Sequence, residues 1–186
     1  IPQYIKKRKS FILDGYWQSE KYFSKNKNGI KNFLNLKIKG LIKSYKSNCE
    51  KVAVHIRLGD YVNTSYGRNN HLICNIEWYK YAISYLKGID CNLKFTIFSD
   101  DKNFVKNAFS EFENLEIYNS DYNRDAYRDL LEMTNYDHFI ISNSSYSWWA
   151  SYLGEKNNTK IIAPKYWYKN VKTNEIPIFR KNWILL

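Results

Sequence analysis

Five short apolar runs constrain this chain more than any other feature. They lie at 52–57, 93–98, 115–118, 138–142 and 160–163, and segments with helical spacing or polar loops separate them. Residues 76–87 put Trp78, Tyr79, Ala82, Ile83 and Leu86 on one helical face. Helices are likewise expected over about 102–109, from Asp125 to Asn135 and over 146–153. Short strands alternating with helices imply a parallel sheet with right-handed crossovers. The expected fold class is α/β, a Rossmann-like parallel sheet with flanking helices.

The first run is the most explicit. In Val52-Ala53-Val54-His55-Ile56-Arg57, successive side chains turn to opposite faces of a strand, so Val52, Val54 and Ile56 share one face and His55 and Arg57 the other. Gly59 is expected to let the backbone bend, with Asp60 in the turn. Residues 61–75 read as a polar loop. Ligands of open α/β sheets bind outside the carboxyl ends of the strands. Three polar clusters fall there: His55/Arg57/Asp60, Ser99/Asp100/Asp101 and Asn143/Ser144/Ser145. Asp101 or its neighbours cap the helix that follows, as do Ser144 or Ser145, and Gly154 is expected to stop the helix at 146–153.

This rim points to an anion, most simply a phosphate. Arg57 either holds a diphosphate through a bidentate, charge-assisted pair or pairs with Asp60 and stabilises the loop. Ser144 and Ser145 stand at a helix start, where free N–H groups and the positive end of the dipole favour an anion, and Asn143 can add its amide. The other reading of that segment is a helix cap and nothing more. His55 is a catalytic candidate or a hydrogen-bonded scaffold residue. Asp60 is expected to orient His55 or the loop backbone. Asp100 and Asp101 either cap a helix or hydrogen-bond a ribose or guanine.

Other classes are disfavoured. There is no GxxxxGK[ST] and no GxGxxG, so neither a P-loop kinase nor a standard dinucleotide dehydrogenase fits. Cys49, Cys74 and Cys91 form no CxxC pair, and the three His show no paired-ligand spacing, so free thiols and no metal site are expected. No apolar run is long enough to span a bilayer. The net charge of +11 admits nucleic acid, an anionic membrane surface or a phosphorylated ligand as partner. With no basic helix, RNP-like strand pair or zinc finger, nucleic acid is not expected.

Several segments carry a resemblance, in order along the chain. His55-Ile56-Arg57-Leu58-Gly59-Asp60-Tyr61-Val62 resembles the H-x-R-R-G-D-Y motif of the α-1,2-fucosyltransferase family (glycosyltransferase family 11, bacterial type). Gly15-Tyr16-Trp17-Gln18-Ser19-Glu20-Lys21-Tyr22-Phe23 resembles that family's segment upstream of the motif, and Phe98-Ser99-Asp100-Asp101 its F-S-D-D turn. Residues 140–150, Ile-Ile-Ser-Asn-Ser-Ser-Tyr-Ser-Trp-Trp-Ala, and Ala163-Pro164 with Trp167 resemble its later blocks.

The resemblance implies the donor-binding part of a GT-B-type, inverting, metal-independent transferase with no cofactor. It would move L-fucose from GDP-β-L-fucose to the 2-hydroxyl of a galactoside, in surface polysaccharide, O-antigen or lipopolysaccharide synthesis. Arg57, His55 and Asp60 would be catalytic, and His55, Asp60 and His71 are the candidate bases for the acceptor hydroxyl. Arg57, Asp100, Asn143, Ser144 and Ser145 would bind the donor. The partners would be a nucleotide-sugar and a galactose-containing glycan, not nucleic acid. The enzyme would be cytoplasmic, with peripheral contact to an anionic inner membrane.

Alternatives are another GDP-sugar transferase and a non-catalytic sugar- or nucleotide-binding fragment. Leu58 stands where many members have a second Arg, a loss that is either tolerated or lowers donor affinity. The family's Gly-rich opening segment, G-G-L-G-N-Q, is missing here, so the chain is expected to be a piece of a longer enzyme. Residues 1–50 read as a partial N-terminal region with a connecting helix, and 51–186 as the donor-binding domain.

Overall fold

A computed structural model describes residues 14–26, 29–30, 32, 49–71, 74–118, 126–169, 171 and 177–186. The connecting helix expected within residues 1–50, over 30–47 by its apolar spacing, lies almost wholly outside these residues. Six parallel strands form one sheet: β1 (Lys51–Ile56), β2 (Lys94–Ser99), β3 (Leu115–Ile117), β4 (His138–Ile140), β5 (Ile161–Ala163) and β6 (Ile184–Leu185). Their spatial order is β3-β2-β1-β4-β5-β6. The chain therefore winds outward one way to β3 and, from β4, outward the other way. The reversal between β1 and β4 opens a crevice at their carboxyl ends. The sixth strand was not expected; it is two residues long and lies at the very end of the chain, too short to show a period.

The two-residue period of the first run is realised. Val52, Val54 and Ile56 pack with Tyr79, Ala82, Ile83 and Leu86 of the helix Ile76–Ile89, while Ala53 faces the other cluster, built around Phe139, Ile141 and Trp148. That helix is capped by Asn75, whose side chain accepts from Trp78 N at 2.8 Å. The helix Lys102–Ala108 is capped by Asp101, which accepts from Phe104 N at 3.0 Å.

Residues 61–75 are not a simple loop. The helices α1 (Gly59–Asn63) and α2 (Ser65–Asn70) occupy most of the segment, with the Ile76–Ile89 and Lys102–Ala108 helices following as α3 and α4. Thr64 joins the first pair: its hydroxyl donates to Asp60 O at 2.7 Å and accepts from Gly67 N at 2.9 Å, closing one helix while capping the next. A single polar residue thus stands in for the apolar periodicity that such short helices lack.

The last two helices are α5 (Ala126–Met133) and α6 (Ser145–Gly154). Gly154 does not stop α6 by a left-handed turn. It is the helix's last residue, and a Cβ there would come within 2.7 Å of Phe139 Cζ and 2.8 Å of Thr134 O, so close packing requires glycine. The aromatic segment at 14–26 is docked on the same body. Phe23 lies against the rings of Trp149 and Tyr152, at 5.4 and 5.3 Å, and Glu20 pairs with Arg180 at 3.0 Å. Among the described residues, Cys49, Cys74 and Cys91 are not joined in disulfides. Among the described residues, no helix is long and apolar enough to cross a membrane.

Candidate functional site

Members of all three polar clusters line one cleft of about 900 Å³ at the carboxyl ends of β1, β2 and β4. Arg57 follows β1 directly. Its Nη2 donates to Asp60 Oδ1 at 2.6 Å and its Nη1 pairs with Asp100 Oδ2 at 2.8 Å. The two carboxylates differ in their anchorage. Asp100 also accepts from Leu58 N at 2.9 Å and its side chain is 27% exposed, whereas that of Asp60 is 58% exposed. Gly59 is needed for space and not for a bend: a Cβ there would lie 2.5 Å from Asp100 Oδ2. Leu58 turns away from the cleft into the core.

Asp60 pairs with Arg57, as one of the two readings of that arginine expected; its side chain does not contact His55, which departs from the reading of Asp60 as the residue that orients the histidine. His55 bridges the crevice, with Nδ1 2.9 Å from Ser142 Oγ beyond β4. Burial, then the neighbouring Arg57 charge, pushes the imidazole down to about 3. His55 is therefore neutral near pH 7 and a poor proton acceptor, which favours the scaffold reading.

Asn143 also departs from the expectation. Its Nδ2 donates to His71 O at 2.8 Å and to Trp167 O at 2.9 Å, which uses both amide hydrogens. The residue ties two loops together and leaves no side-chain donor for an anion. Ser144 and Ser145 stand where expected, at the start of α6. The Ser144 side chain makes no capping bond, and the first-turn N–H groups of a helix have no acceptor within it. Asp101 caps α4 and is not among the lining residues.

Composition and spacing gave no sign of Gln18, Asp129 or Tyr146, which also line the cleft. Tyr146 leans on His55 at 5.1 Å, and His71 stacks on Tyr61 at 5.1 Å. Only the docking of segment 14–26 and the packing of α5 on α6 bring these groups in. Among the described residues, no cluster of three or more His, Cys, Asp or Glu is placed to hold a metal ion.

The profile of glycosyl transferase family 11 matches residues 4–186. The chain belongs to that family. Among family 11 relatives, an Escherichia coli protein named alpha-1,2-colitosyltransferase is 31% identical over 179 residues, covering 91% of this chain and 60% of its own. A second E. coli protein, the O-antigen biosynthesis glycosyltransferase WbnK, is 27% identical over 139 residues, covering 75% of this chain and 45% of its own. This family 11 chain thus spans 60% and 45% of these two relatives, less than two thirds of either. Among solved structures, the E. coli ADP-heptose lps heptosyltransferase II aligns with a TM-score of 0.48 at 11% identity, over 85% of this chain and 43% of that one.

Proposed function

We propose that the chain is the donor-binding part of a GT-B-type glycosyltransferase that moves L-fucose from GDP-β-L-fucose to the 2-hydroxyl of a galactoside with inversion. The observation that carries this reading is Arg57, set at the crevice between β1 and β4 and facing a cleft bordered by the start of α6. Acceptor attack at the anomeric carbon breaks its bond to the β-phosphate oxygen. The bond's electron pair leaves with GDP, so negative charge grows on the diphosphate. Fixed donors aimed at that charge are usually the largest catalytic term.

The diphosphate would take the place of Asp60 on Nη2, while Asp100, held by the Leu58 amide, keeps Nη1 oriented. Backbone N–H groups at the start of α6, with the Ser144 and Ser145 hydroxyls, would meet the same phosphates. Asp60, released at the exposed side of the cleft, would be the carboxylate able to take the acceptor's proton. This route needs no metal.

The linkage and the setting draw support from the relatives' names, alpha-1,2-colitosyltransferase and O-antigen biosynthesis glycosyltransferase. The first name also favours a second donor reading. Colitose is L-fucose without its 3-hydroxyl, and the same anchor on GDP would serve both sugars. Donor competition among GDP-L-fucose, GDP-colitose, GDP-mannose and UDP-sugars separates the readings. The net charge of +11 supports work beside an anionic inner membrane surface. Failure to bind anionic vesicles at low salt would remove that part.

The central test is calorimetric titration of GDP into the 186-residue chain and its Arg57→Ala variant, without added metal. Saturable binding that the substitution abolishes is expected. Equal binding by both proteins would sink the assignment of Arg57.

A further inference from the structure

Among the described residues, three side chains that line the cleft hold a buried polar atom without a hydrogen-bond partner: Gln18 Nε2, Asp129 Oδ1 and His71 Nδ1. His71 sits in a cluster of aromatic rings, its own ring stacked on Tyr61. Gln18 and Asp129 are different. One offers an unused N–H and the other an unused carboxylate oxygen, and both belong to the surroundings of α6's first turns.

Gln18 is 9% exposed and its backbone is pinned on both sides. Trp149 Nε1 donates to Tyr16 O at 3.2 Å, Trp17 is held at a φ of 52°, and Glu20 pairs with Arg180. Asp129 lies one turn after Ala126 on α5, and Tyr146 Oη donates to Ala126 O at 2.6 Å. Tyr146 and Trp149 are themselves one turn apart on α6, so the elements bearing Gln18 and Asp129 both attach to one face of that helix. A protein that fixes a buried amide in place without a partner bears a cost comparable to a lost hydrogen bond. Such orphans point to a ligand that completes them.

We propose that Gln18 and Asp129 bind a hydroxyl group of the transferred sugar. This rests on the reading of the cleft as the site of a nucleotide-sugar. A hydroxyl both donates and accepts, so it is a chemical match for the Gln18 N–H on one side and for the Asp129 oxygen on the other. The transferred sugar must also lie where an acceptor can reach it. Gln18 is two residues from Tyr16, which lines the cleft and is 74% exposed. Segment 14–26 thereby acts as a donor-sugar selector, and a site built to pair a hydroxyl discriminates strongly against an analogue that lacks it.

The test compares GDP with GDP-L-fucose, by calorimetry on the chain and its Gln18→Met and Asp129→Asn variants. Gln18→Met keeps the side chain's length and removes the unpaired amide. It is expected to raise the melting temperature of the free protein while weakening GDP-L-fucose by about tenfold and leaving GDP unchanged. Asp129→Asn is expected to weaken GDP-L-fucose by at least as much, again sparing GDP. Equal weakening of GDP and GDP-L-fucose would assign the pair to the nucleoside and overturn the proposal, as would unchanged binding of both. If the folded wild type fails to bind GDP at all, the donor-site reading itself falls, and this inference with it.

Discussion

The two ends of the sheet are built from the same kinds of residue and used differently. At the amino end, Glu50, Asp137, His138 and Lys156 border a smaller cavity of about 450 Å³. There the charges close on one another. His138 Nδ1 accepts from Lys160 N at 3.1 Å, which leaves Nε2–H to donate to Glu50 at 2.8 Å. Asp137 accepts from Lys51 N at 3.0 Å and Lys156 Nζ at 2.7 Å. At the carboxyl end, Arg57 is also held by two carboxylates, but it faces a cleft twice as large whose walls carry unpaired polar atoms. A charged cluster that satisfies itself is a clamp between neighbouring strands. One that leaves donors and acceptors open is arranged around something else.

The largest expected effect breaks the comparison at the open end. Arg57→Ala should lower turnover in the intact enzyme by on the order of 10²–10³, with a melting temperature close to wild type; steady-state kinetics and a thermal melt check both. The converse holds at the closed end. Asp137→Ala leaves the Lys51 amide and Lys156 without their acceptor and should cost about 1–3 kcal/mol of stability, read by urea denaturation, with GDP affinity unchanged. Gly59→Ala tests a coupling inside the cleft. Its Cβ would displace Asp100 from Arg57, and a roughly tenfold loss in GDP affinity is expected, with only a small shift in the melt.

Acid separates the two ends more gently. His55 titrates near 3 in the folded protein against an ordinary 6.5, so below pH 6.5 the unfolded chain binds the extra proton and stability falls with falling pH. The slope should approach about 1.4 kcal/mol per pH unit between pH 6 and 4, and His55→Asn should flatten it. Asp137 is subject to a burial effect that raises its carboxyl, outweighed by the Lys156 and Lys51 hydrogen bonds, which together hold it below its ordinary value of 3.8. Its contribution is present above that value and is lost only below about pH 4. Urea midpoints across this range distinguish the two windows.

Much of this was legible in the sequence. The strands were readable because a fully buried parallel strand is a short apolar run, and the polar residues ending β1, β2 and β4 marked one rim. What could not be read was pairing at a distance. Asn143 looks like a donor until the carbonyls of His71 and Trp167 come within reach of it. Asp60 looks like a partner for His55 until a one-turn helix folds it back onto Arg57. Gln18 stands in the segment Gly15–Phe23 that carries part of the resemblance, but its place in the cleft depends on where that segment docks. The α1–α2 pair reads as a loop in the sequence because Thr64, and no apolar stripe, organises it.

The bond from the Leu58 amide to Asp100 gives position 58 an unusual freedom. What that position contributes to the cleft is a backbone hydrogen that every residue but one possesses. Leucine can therefore stand here without disturbing the geometry of Arg57, and other side chains that suit the core would leave the same bond in place. Proline alone would withdraw the hydrogen and release Asp100 from β1. The orientation of the cation is thus written into the main chain, where mutation seldom reaches it.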